Sequence, residues 1–204
     1  MVLLDYLKWR NDVNFSVASF NEIDNVILSC LSYMDFGELF SVQNTTYTIE
    51  RAFDLFCKKY SFEEIRESRQ FIKRVPLLLE DMVLGERFKD TRIVHYTDDL
   101  DKEKIKQFAA VTFVLPDGTN YISFRGTDST IIGWKEDFLM SFMSETEGAK
   151  EAVDYLNHVS NLLEGDLIPR TYTKEENDTI TIRTMSKPVT IPLNTKSLKV
   201  LKVK

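Results

Sequence analysis

The run Tyr121-Ile-Ser-Phe-Arg-Gly-Thr-Asp128 is largely apolar up to Phe124 and then breaks into a polar turn. Gly126 lets the backbone approach a bound group closely, and the Thr127 amide, helped by its hydroxyl, can face a developing negative oxygen. That is oxyanion-hole chemistry, and it serves acyl transfer only when a nucleophile and a base complete the site. Neither follows: no Gly-x-Ser-x-Gly occurs, no glycine comes after Gly165, and no histidine comes after His158. The same residues also fit an ordinary strand-ending turn in which Asp128 caps the next helix. Arg125 reads as a brace for that turn, pairing with an acid such as Asp137.

Other chemistries have less to stand on. His95 lies before the turn and His158 inside a helical pattern, so each reads as a packed or surface histidine. The absence of His-x-x-x-His, Cys-x-x-Cys and Asp-rich loops gives an expectation of no metal. No Walker-type or Gly-x-Gly-x-x-Gly loop occurs, so no cofactor is expected either. Cys30 and Cys57 fall among apolar residues at helical spacing and are expected in the core rather than in a disulfide. A formal charge of −6 and a pI near 5.1 argue against nucleic acid as a partner. Charged residues interrupt Met1 to Arg10, leaving no secretory h-region, and no other stretch is long enough to span a membrane. With two cysteines, the expected compartment is the reducing cytoplasm of a bacterium.

The elements that must hold this turn can be read from periodicity. Ile23, Val26, Ile27, Cys30, Leu31 and Met34 predict an amphipathic helix over about Phe20 to Phe36. Ile49, Ala52, Phe53, Phe56, Cys57 and Tyr60 predict a second, with Thr48 as its cap. A third helical region is expected from Phe62 to Lys73 and, beyond Pro76, through Leu84. Sheet is expected to begin with a short strand at Arg92 to Tyr96, followed by a solvated turn or loop from Asp98 to Lys106. Gln107 to Leu115 is apolar at odd and even positions alike, as a strand covered on both faces would be. Pro116-Asp-Gly-Thr119 then predicts a hairpin into Asn120 to Phe124. Ala149, Ala152, Val153, Leu156, Val159 and Leu163 share one face of a helix over Glu147 to Leu163. After it come strand-like stretches at Thr179 to Thr184, Pro188 to Leu193 and Ser197 to Val203. From Arg170 onward bases outnumber acids, although the body is acidic.

Phe124-Arg-Gly-Thr127, followed by Trp134 and the acidic-apolar segment Lys135 to Phe142, resembles class 3 lipases. The chain from Leu4-Asp-Tyr-Leu-Lys-Trp-Arg10 through Phe20-Asn-Glu-Ile-Asp-Asn25 to Gly133-Trp-Lys-Glu-Asp-Phe138 resembles a bacterial, class 3 lipase-related family of lipase-like α/β-hydrolase proteins. The resemblance covers residues 1–163 and stops where the nucleophile elbow should follow. It implies an α/β class, with an incomplete α/β-hydrolase-like sheet, a helical N-terminal region and a short β-rich tail. The implied units are 1–163, mostly helical over 1–87 and with strands, a lid-like helix and a following helix over 88–163, and a basic 164–204. Thr127 would be the oxyanion donor, with Gly126 and Trp134 against a small ester or lipid-like ligand. Ester or acyl hydrolysis is the implied parental activity, lost here with the missing serine and histidine. The alternative is a non-catalytic binding or structural module that pairs its sheet edges with a second copy or a protein partner.

Overall fold

The protein is described by a computed structural model over residues 2–39, 46–101, 106–125, 147–163, 167–169, 179–183 and 188–192. Its N-terminal half supplies helices α1 (Val2–Arg10), α2 (Glu22–Leu31), α3 (Phe36–Leu39), α4 (Ile49–Lys59), α5 (Phe62–Glu67), α6 (Phe71–Arg74) and α7 (Leu77–Met82). Strands β1 (Tyr47–Thr48), β2 (Arg92–Asp101), β3 (Lys106–Val114), β4 (Asn120–Arg125) and β5 (Leu167–Pro169) form one sheet in that order. The pairs from β1 to β4 are antiparallel, and β5 runs parallel to β4. Helix α8 (Glu147–Leu162) precedes β5, and β6 (Thr179–Arg183) with β7 (Pro188–Pro192) makes a separate two-stranded sheet. Helix and strand thus combine as an α/β chain with a helical N-terminal region, at the level at which the sequence predicts it.

Alternation along the strands assigns each face of the sheet its own helices. Ile93, Val111, Phe113, Leu115 and Tyr121 pack into the larger core with Leu7, Ile27, Leu31, Phe36, Ile49 and Leu78. Phe108, Ala110 and Ile122, at the intervening positions, pack instead under α8 against Ala152, Leu156 and Val159. β3 is therefore covered on both sides, which explains its unbroken apolar run. The Tyr121 hydroxyl fastens β4 to α2 through Ser29 Oγ at 2.7 Å and Asn25 Oδ1 at 2.8 Å.

Several boundaries differ from expectation, each for a local reason. The helix expected to run to Phe36 ends at Leu31, where Ser32, Tyr33 and Met34 donate to carbonyls three residues back. Asp35 then accepts from the Glu38 amide at 2.9 Å and starts α3. The stretch from Phe62 is interrupted at Ser68, whose ψ of 136° is extended. Asp98 to Asp101 form strand rather than loop, because β3 pairs with β2 as far as Asp101. Cys30 is buried as expected, but Cys57 is exposed, since Phe56 and not Cys57 turns the α4 face inward. The hairpin is as predicted: Gly118 takes φ +87°, and its amide donates to the Leu115 carbonyl at 2.9 Å.

One buried ion pair ties the N-terminal loop to the helices. Arg87 and Asp24 have fully buried side chains, and Nε donates to Asp24 Oδ1 at 2.9 Å while Nη2 donates to Oδ2. The remaining guanidinium donors reach the carbonyls of Val13 at 2.8 Å, Ala18 at 3.0 Å and Ser19 at 3.2 Å. All five N–H donors of the fork are thereby used. Asp24 also accepts from the Tyr6 hydroxyl and from the Asn21 amide, completing the capping box of α2.

Candidate functional site

Two polar clusters on opposite faces of the meander β2–β4 lie where chemistry could occur. On the face covered by the N-terminal helices, Asp98, Ala109 and Arg125 stand in line across β2, β3 and β4. The small Ala109 side chain leaves room for Arg125 Nη2 to reach over it to Asp98 Oδ1 at 2.7 Å. Asp98 Oδ2 accepts from the Tyr96 hydroxyl at 3.1 Å. Tyr96 ionises well above the usual tyrosine range, because burial and then the nearby Asp98 carboxylate oppose a phenolate. Arg125 is thus a brace, as expected, but the acid shown to hold it is Asp98. Asp137 lies outside the described residues, as do Gly126, Thr127, Trp134 and the Lys135 to Phe142 segment.

The second cluster faces α8 and is built on an irregularity. Val94 pairs with Thr112 but Tyr96 pairs with Val111, so His95 is an inserted residue, a β-bulge. It sits at φ +49°, a left-handed conformation that costs a residue with a Cβ roughly 1–2 kcal/mol. The bulge returns Tyr96 to the same face as Ile93 and aims the imidazole of His95 at α8. A bulge also leaves ladder groups unpaired. Here the Tyr155 hydroxyl donates to the His95 carbonyl at 2.5 Å, and the Thr112 hydroxyl lies 2.8 Å from the Tyr155 oxygen. With its one proton given to the carbonyl, Tyr155 accepts from Thr112. Burial holds the Tyr155 phenol protonated well beyond the usual range.

His158, one turn beyond Asp154 on α8, brings its ring to 5.7 Å from that of His95, centroid to centroid, at an interplanar angle of 87°. These are the only two histidines in the chain. His95 has its proton affinity lowered by burial first and by His158 second. A half-buried neutral imidazole on a strained bulge, facing a second imidazole, can bind a proton or an electrophile. Sequence reasoning left these two histidines apart, because 62 intervening residues and a one-residue bulge carry no local pattern.

A family model described as Mbeg1-like matches residues 82–184, just over half of the 204 residues. The chain belongs to the Mbeg1-like family. The Mbeg1-like region contains the whole meander, both histidines, Arg87, Arg125 and α8. No curated protein and no solved structure matches the chain.

The Mbeg1-like match overturns the resemblance to class 3 lipases, which is a different family, and no lipase match accompanies it. The lipase-like assignment, its hydrolase label and the inferred parental ester or acyl hydrolysis all fall with it. For the sheet, what is shown is helix and antiparallel strand mixed at the coarse α/β level. The physical reason is the low specificity of the motif: its Arg125 serves the sheet through Asp98 whatever follows. Among the described residues of this Mbeg1-like protein no helix is long and apolar enough to cross a membrane, and no group of three or more His, Cys, Asp or Glu could hold a metal.

Proposed function

We propose that this Mbeg1-like chain binds a small ligand by a carbonyl or anionic oxygen at the carboxyl end of β4. Thr127 supplies the donors, Gly126 allows close backbone approach, and Trp134 gives apolar cover to an ester or lipid-like body. No bond-breaking step belongs to this reading. The observation that supports it is the Asp98–Arg125 bridge across Ala109, which fixes the strand end from which Gly126 and Thr127 leave. Titration with octanoate, followed by amide resonances, is expected to shift Gly126 and Thr127 saturably. Thr127→Val should weaken binding by about tenfold, the worth of one hydrogen bond to a charged oxygen. No saturable shift, or equal affinity in the variant, would end the proposal.

A second reading, pairing of a sheet edge with a second copy, is supported by β2. β1 pairs with Arg92 and Ile93 at one end of this ten-residue strand. Such an edge invites a strand from another chain, and a two-fold would make the pair antiparallel. Asp98 and Asp99 would meet acids of like charge in that arrangement, so dimer should increase when salt screens them. Light scattering that gives monomer at every concentration and salt tested would remove this reading.

A further inference from the structure

We propose that His95 and His158 together hold one divalent transition-metal ion of the zinc type, clamping the β2 bulge to α8. Their separation fits one shared ion. With a metal–nitrogen bond of about 2.0–2.1 Å, each ring centre lies about 3.2 Å from the metal, so two imidazoles at the tetrahedral angle stand about 5.2 Å apart. The observed 5.7 Å corresponds to an angle of roughly 125° at the same bond length. Among the described residues neither ring has a hydrogen bond.

The supporting structure is fixed in advance. His95 is held in its left-handed conformation by the bulge register, and its carbonyl is tied to Tyr155 on the same helix that carries His158. Both ligands are therefore set by one helix–strand contact. Imidazole suits zinc, copper and nickel rather than magnesium or calcium. No third protein ligand joins the pair among the described residues, so water would complete the coordination. Such a site exchanges readily and leaves positions open.

The test is calorimetric titration of the tag-free full chain with zinc chloride, with the histidine ring resonances recorded in parallel. One ion per chain should bind, and both rings should shift together. His95→Asn and His158→Asn should each weaken binding by at least about tenfold. Asn suits position 95 because it tolerates positive φ, so the fold survives the loss of the imidazole. Absence of zinc binding, unchanged affinity in either variant, or a shift confined to one ring would overturn the proposal.

Discussion

Arg87→Met is expected to lower the unfolding free energy by about 3–5 kcal/mol, the cost of stripping one partner from a buried ion pair. Asp24 would remain at zero exposure with a charge and no cation, keeping only Tyr6 and the Asn21 amide. The loss extends beyond the pair, because the carbonyls of Val13, Ala18 and Ser19 would lose their donors too. Phe15 would lose the guanidinium that lies 4.1 Å from its ring centre. Isosteric replacement of both charges often restores stability in other proteins. Here Arg87→Met with Asp24→Leu should recover only part of the loss, since the three loop carbonyls stay unpaired. Urea unfolding followed by circular dichroism reads both effects as midpoint shifts. A single variant with the parent's midpoint would mean that the fork does not organise the loop.

Gly85→Ala should cost about 3 kcal/mol, the upper end of what overpacking exacts. A Cβ at residue 85 would lie 2.2 Å from the Asn11 carbonyl oxygen and 2.6 Å from its side-chain amide. That oxygen cannot yield cheaply. It accepts from the Arg87 amide at 3.0 Å, while Asn11 Nδ2 donates to the Asp81 carbonyl at 2.6 Å, so residue 11 is held from both sides. The end of α1 is thereby pinned to the end of α7. Because Gly85 and Arg87 act on the same loop, the double variant should lose less than the two single effects combined. Thermal and urea unfolding of the set measures that coupling, and a Gly85→Ala protein as stable as the parent would contradict the packing at Asn11.

The elements legible in the sequence were those in which one local rule acts alone. Thr48 caps α4 as its position implied, accepting from the Arg51 amide at 3.1 Å, and Ile49, Ala52 and Phe56 turn inward at the expected spacing. The β3–β4 hairpin followed from Pro116-Asp-Gly-Thr119 and from apolar residues on both faces of β3. What escaped is what depends on a distant strand. Asp98 to Asp101 read as solvated because acids avoid strands, yet pairing with β3 carries β2 through them. The His95 bulge is a matter of register between two strands, and no residue near it announces an insertion. Arg125 was recognisable as a brace, while its partner Asp98 required knowing that Ala109 lies between them. The motif at Phe124 to Asp128 misled about family, because so short a pattern of residue types is shared by many folds.

The order of strands also separates contacts by how far the chain must travel to make them. β2, β3 and β4 are sequence neighbours joined by short connections, so the meander can assemble from local encounters. Its two flanks cannot. β1 reaches β2 only after residues 49–91 have been wound into α4 to α7, and β5 reaches β4 only after the excursion through α8. Loop-closure entropy must be met before those outer pairs return anything, which places them late in folding. Each outer strand therefore arrives together with helix for its face, and the ring-to-ring contact of His95 with His158 can form only in that second stage. The two histidines report whether the α8 layer has docked.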